Sequence, residues 1–309
     1  MQESLFVNTL HCGLVKEDME STSTIELDTD SRLLPSRRRW VSDEQIAAIR
    51  QVDHFRHSEY AQLDLNQVLD EYMTDFVEPL QRLTGSPRTL ADIGAGYGWL
   101  ALAFALRTEA RIVAVEHDAK RMAAAQRIAD ILGVGQRIEW LRASIASLPI
   151  PDRAMDAVFC IEVIEHTGVE PAYVAELCRI SNDVLVITTP NKIFPVIGHD
   201  TALPFCHWLP LRMRDVYAAM CGRRKLQENN FFWSPARLLA SAGAGGFQRT
   251  SRFMQFASYA DYRESRALRQ TRAGLGRRCL EAYFGLAARL GQNTMHVLPN
   301  LASTFRRRV

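Results

Sequence analysis

The chain has 309 residues, 47% hydrophobic and 23% charged, with 37 Lys+Arg against 35 Asp+Glu for a formal charge of +2. That balance excludes a disordered or collagen-like chain, and a chain of this length buries enough surface to fold without disulfide staples. The six cysteines form no C-x-x-C pair, and no run reaches the roughly 18 apolar residues of a membrane span. With no basic start followed by an apolar stretch, no secretion signal is read either. A cytoplasmic protein with reduced, buried thiols is expected.

Residues 1–40 are rich in Ser, Thr and Asp and end in Arg37-Arg38-Arg39, so they read as a poorly ordered arm. Leu65, Val68, Leu69, Tyr72 and Phe76 then repeat at helical spacing until Gly85-Ser86-Pro87 stops them. Strands and helices alternate from there. Strands are expected at Thr89–Ile93, Arg111–Val115, Ile138–Leu141, Ala157–Ile161 and Val184–Thr188. Helices are expected at Trp99–Arg107, Ala119–Leu132 and Pro171–Ile180, the last opening on a proline whose missing N–H costs nothing there. A final helix to about Ser241 precedes a strand near Phe247–Phe253. This order predicts an α/β fold with a mainly parallel sheet and helices on both faces. In such sheets ligands bind beyond the C-terminal strand ends, so the residues just after each strand are the ones to read for chemistry.

After the first strand comes Asp92-Ile93-Gly94-Ala95-Gly96-Tyr97-Gly98. Glycines at a strand-to-helix turn let the backbone bend tightly and approach a ligand. The spacing is G-x-G-x-G, and Trp99 stands where a dinucleotide fingerprint places its last glycine, which argues against a dehydrogenase. Glu116 ends the second strand, where a carboxylate can accept both hydroxyls of a ribose. Asp118 suits a helix cap better. After the fourth strand, Cys160-Ile161-Glu162-Val163-Ile164-Glu165-His166 follows. On a helical turn Glu162, Glu165 and His166 would share a face, and two carboxylates with an imidazole could hold a divalent ion such as Mg²⁺.

The glycine run resembles motif I of the class I S-adenosylmethionine (SAM)-dependent methyltransferases, and E-V-I-E-H resembles the acidic motif of ubiquinone-pathway catechol O-methyltransferases and of small-RNA 2′-O-methyltransferases. The T-P-N turn at Thr189-Pro190-Asn191 and the F-x-S-P…G-F pattern at Phe232–Phe247 fit the same superfamily. The resemblance covers roughly residues 50–255 and implies a Rossmann-like, seven-stranded, mostly parallel sheet. It implies SAM held by Asp92, Gly94, Gly96, Gly98 and Glu116, with Ile161 lining the cofactor near its sulfonium. Ser144 and Ile145 would sit at the adenine, although the family usually places an acid where Ser144 stands. It further implies Glu162, Glu165 and His166 as ligands of Mg²⁺, or His166 with Glu165 as the catalytic pair. His199 offers a further ligand or base, whereas His207, beside Trp208, reads as packed. The implied domains are the arm 1–40, a methyltransferase domain 41–255 with a substrate-side insertion at about 192–230, and a basic helical extension 256–309.

The extension carries ten arginines against three acids from Asp261 onward, with a helix-compatible stretch at Tyr262–Arg289. A peripheral contact with the inner membrane face is one expectation for it, and packing on the domain is the other. Arg306-Arg307-Arg308 would favour a phosphate-bearing surface. O-methylation of a small-molecule, lipid-linked or glycan acceptor is the leading expectation. The RNA 2′-hydroxyl alternative lacks the charged H-x-x-H set of the RNA enzymes, which argues against nucleic acid as partner. An interaction module without catalysis is the other alternative. The acceptor's identity and the oligomeric state stay open.

Overall fold

The computed structural model describes residues 39–195, 197, 201, 203–223, 231–250, 278, 282 and 300–308. The arm up to residue 38, His199 and the stretch Tyr262–Arg289 fall outside the described residues, Arg278 and Ala282 of that stretch apart. Helix α1 (Asp43–Arg50) opens on a reciprocal cap in which the Ser42 side chain accepts from the Gln45 N–H and the Gln45 side chain from the Ser42 N–H. Two short 3₁₀ turns, Phe55–His57 and Glu59–Gln62, lead to α2 (Leu65–Tyr72), whose first turn is capped by Asp64. A π-helical stretch, Met73–Val77, joins α2 to α3 (Glu78–Thr84), and Gly85, at φ +74°, ends it.

The sheet contains β1 (Thr89–Ile93), β2 (Arg111–Val115), β3 (Ile138–Leu141), β4 (Met155–Ile161), β5 (Ser181–Thr188), β6 (Phe247–Arg249) and β7 (Ser303–Arg307). Its order is β3-β2-β1-β4-β5-β7-β6. Strands β1 to β5 run parallel, and β7 lies antiparallel between β5 and β6. Between them run α4 (Trp99–Arg107), α5 (Ala119–Ile131), α6 (Pro171–Ile180), α7 (Leu211–Met220) and α8 (Pro235–Ala244). Helices cover both faces, which is why Leu90–Ile93 and Ile112–Val115 read as unbroken apolar or buried runs rather than alternating ones. Every side chain from Trp99 to Ala105 is buried, because α4 is enclosed between the sheet and the α2–α3 layer. The strand order reverses between β1 and β4, so the crevice for a ligand opens at their C-terminal ends.

β7 corrects the reading of 256–309 as a separate helical extension. Residues 303–307 complete the sheet, so the domain reaches past its expected end at 255. Two arginines of the terminal triplet are committed there. Arg306 makes a bidentate pair with Asp183 at 3.0 and 2.6 Å. Arg307 donates to the carbonyls of Asn182 and Cys178 and lies 4.5 Å over the Phe247 ring.

Candidate active site

Gly94, Gly96 and Gly98 all adopt positive φ (+78°, +57°, +80°), the region where a side chain is strained. A Cβ at Gly94 would also collide with the Val163 side chain, and one at Gly98 would lie 2.7 Å from Trp140. Gly96 is the open position, its nearest neighbour being the Arg121 side chain at 3.9 Å. The loop is pinned to β2, since the Gly94 and Ala95 N–H groups both donate to the Val115 carbonyl at 2.8 and 2.9 Å. No side chain caps α4 locally. Instead Asp92, buried at the end of β1, accepts from the Ala101 N–H at 3.2 Å and faces the helix's positive end. Burial pushes its carboxyl up to about 7, with the Ala101 bond opposing and the Glu116 charge adding.

Glu116 is 2% exposed, directly after β2. Its Oε2 accepts from the Gly96 N–H at 2.8 Å and its Oε1 from the Asp118 N–H at 2.9 Å. A carboxylate has about four lone-pair sites, so acceptor capacity remains on both oxygens. The His117 ring, 79% exposed and 2.9 Å from Oε1, is the partner that an incoming group can displace. Asp118 caps α5 through the Lys120 and Arg121 N–H groups, as its position after the strand suggests.

The remaining expected cofactor residues are placed less uniformly. Ile161 ends β4, half-buried, against the core beneath the crevice. Ser144 is exposed and uses its hydroxyl locally, accepting from the Ala146 N–H at 3.2 Å. Ile145 is buried in the apolar layer with Leu148 and Ile150. A group that sequence reasoning missed lies over the glycine loop. His54, at φ +66°, brings Nδ1 to 3.0 Å from the Tyr97 hydroxyl. Phe55 packs edge-on to Tyr97 at 5.1 Å, and Tyr60 stacks on Trp99 at 6.0 Å. The only local signal for this cap is the aromatic density of residues 54–60, which has no helical or strand period.

The acidic motif departs from expectation. Residues 162–166 do not form an α-helical turn: Glu162 sits at φ +55° and Ile164–His166 make a 3₁₀ turn. The Glu162 N–H donates to the Thr188 carbonyl (3.0 Å) and lies 3.1 Å from its hydroxyl, which holds the strained residue in place. Glu162 Oε1 accepts from Asn300 Nδ2 at 3.0 Å, a contact between residues 138 positions apart. Glu165 is fully buried and its Oε2 accepts from the Thr189 hydroxyl at 3.0 Å. Burial first, and the Glu162 charge second, push Glu165 well above the usual carboxylate range. His166 is exposed. The expected Mg²⁺ set is therefore corrected: Glu165 points inward and His166 outward, and no three His, Cys, Asp or Glu side chains gather as a metal site among the described residues. The expected catalytic pair is split in the same way, with Glu165 buried and His166 exposed. His207 is buried, with Nε2 2.9 Å from the Lys192 carbonyl, and burial lowers its pKa, as a packed histidine requires.

Residues 90–183 match the family model described as a methyltransferase domain. A Mycobacterium tuberculosis protein named "Probable S-adenosylmethionine-dependent methyltransferase" is 30% identical over 144 residues, covering 43% of this chain and 49% of the relative. An "Uncharacterized methyltransferase" of a Mycobacterium species is 31% identical over 162 residues, 49% of this chain and 58% of the relative. The chain spans about half the length of the curated relatives it matches. The crystal structure of magnesium protoporphyrin IX methyltransferase from Synechocystis with bound SAH aligns with a TM-score of 0.47 at 14% identity, over 86% of this chain and 94% of that one.

Proposed function

We propose that this chain, which carries a class I SAM-dependent methyltransferase domain, binds SAM where β1 and β2 end and methylates an oxygen of a small-molecule, lipid-linked or glycan acceptor. The observation that carries the reading is the Glu116 carboxylate: buried, oriented by two backbone N–H groups, and tied to the glycine loop through Gly96. Two adjacent carboxylate oxygens with spare acceptor capacity fit a vicinal diol, and the unobstructed side of Gly96 fits close approach of a ligand. The Tyr97 and His54 side chains would close over the same loop.

When bound, SAM supplies an electrophilic sulfonium methyl. The chain supplies position and a proton acceptor. Holding two reactants in line saves on the order of 7–11 kcal/mol, so little covalent assistance is needed. Methyl transfer would form a C–O bond at the expense of the sulfonium C–S bond, with the thioether as leaving group, and the exposed His166 imidazole at the lip of β4 is the base assigned to take the hydroxyl proton. Glu162, fixed by Thr188 and Asn300, places its carboxyl beside that lip.

Calorimetric titration with S-adenosylhomocysteine (SAH) tests the cofactor half of this reading. Micromolar affinity is expected, and Glu116→Ala should weaken it about 100-fold, since hydrogen bonds to a charged group are each worth about 1.5–3 kcal/mol. A folded wild-type protein that does not bind SAH would overturn the proposal. With an acceptor found by screening catechols and lipid-linked sugars, His166→Ala should lower turnover while leaving SAH affinity unchanged. Full turnover in that variant would remove His166 from its role.

A further inference from the structure

Every large apolar side chain that is strongly exposed among the described residues lies between Ile193 and Phe231. Scattered exposed apolar residues are ordinary, but their confinement to one insertion is not. Helix α7 is the centre of the patch. Met213, Val216 and Met220 follow one another at steps of three and four, so they form a single stripe, and they are 55%, 60% and 80% exposed. The opposite side is the anchored one. Ala218 is buried there, and Arg214 donates to the Leu209 carbonyl at 2.7 Å and to the His207 carbonyl. The turn before α7 adds Phe205 and Trp208, each 50% exposed, with rings 5.0 Å apart. Trp208 is not loose: its Nε1 donates to the Lys192 carbonyl at 2.7 Å.

The charges around the patch are predominantly positive. Lys192, Arg212 and Arg223 are exposed, and no ion pair engages any of the three among the described residues. Asp215 is the one carboxylate within residues 203–223. An apolar stripe with a fixed indole and a cationic rim matches the chemistry of an anionic bilayer surface. The same patch is poorly suited to a second copy of itself, because two-fold pairing would set these cations against one another.

We infer that α7 and the Phe205–Trp208 turn form a docking surface for an anionic lipid bilayer. The surface starts directly after Asn191, beyond the C-terminal end of β5, and Phe231 at its far end donates its N–H to the Glu165 carbonyl at 2.6 Å. Docking would therefore seat the acceptor side of the domain at the membrane. In naming a lipid-linked acceptor as the substrate class this inference rests on the proposed methyl transfer; the membrane contact itself does not.

Flotation of the full chain with vesicles tests it. Binding is expected to phosphatidylcholine mixed with phosphatidylglycerol, and about tenfold less to phosphatidylcholine alone. The combined substitution Met213→Glu, Val216→Glu, Met220→Glu should lower partitioning to anionic vesicles about tenfold or more with SAH affinity unchanged. If that variant fails to bind SAH, the single Met220→Glu, at the most exposed of the three positions, carries the test. Absence of wild-type binding to the anionic vesicles would overturn the inference. So would undiminished binding by the variant, which would assign the contact to the arginine-rich residues beyond 260. A wild-type dimer in light scattering that the variant converts to monomer would make a second copy the occupant instead. Vesicle binding without SAH binding would sink the methyl-transfer reading and leave the docking surface standing.

Discussion

The two halves of the crevice are built in different ways. On the cofactor side, β1, β2 and their loops form the site from neighbours in sequence: Asp92 reaches Ala101, and Glu116 reaches Gly96 and Asp118. On the proposed acceptor side, several contacts join segments much farther apart in the chain. Asn300 reaches Glu162, Asn191 pairs with Trp233, and β7 enters between β5 and β6 from residues 303–307. The comparison teaches that a strand–loop–helix unit can carry its own binding chemistry, whereas the acceptor wall exists only after the whole domain has closed.

Substitutions can break or sharpen this contrast. The largest effect is expected from Trp233→Ala. The indole is fully buried and its Nε1 donates to the Gly168 carbonyl at 3.0 Å, so truncation should cost about 3–5 kcal/mol in denaturant unfolding. SAH affinity of the folded variant should stay at the wild-type level. A loss of affinity would mean that the halves are not separable.

A comparable effect, about 4 kcal/mol, is expected at Asp92. Its folded pKa of about 7 lies above the ordinary value of 3.8, so the native state holds a proton that the unfolded chain has already released. Stability should therefore fall as pH rises from about 4 to about 7, and Asp92→Asn should abolish that fall while retaining an oxygen for the Ala101 N–H. Equilibrium unfolding of both proteins across that range checks it. An unchanged slope in the variant would assign the pH dependence to another group. The smallest effect is expected from Asn300→Ala. Removing one partly buried donor to Glu162 should cost about 1 kcal/mol of stability and leave SAH binding untouched.

Legibility followed the same division. Helix Trp99–Arg107 and strands Thr89–Ile93 and Arg111–Val115 have the bounds that apolar runs and turn residues predict. Glu116 and the three glycines occupy the positions that their spacing implies. The acidic motif misled because its convergence depends on α-helical spacing, and one residue in a left-handed conformation, Glu162, turns Glu165 inward and His166 outward. No periodicity reveals a single φ. The segment Ser303–Arg307 read as a charged tail for a comparable reason. Its arginines find their partners on Asp183 and on carbonyls near residue 180, more than a hundred residues earlier.

By itself, the sequence determined the alternating α/β order, the strand-end positions of Asp92 and Glu116, and the glycine loop between them, because these depend on short-range sterics and on burial patterns a few residues long. Tertiary structure decided which carboxylates meet, that the terminal strand closes the sheet, that His54 and Tyr97 cover the loop, and that α7 turns its apolar stripe outward. Each of those depends on packing between segments far apart in the chain, where the free energy lies in the contact and not in either partner alone.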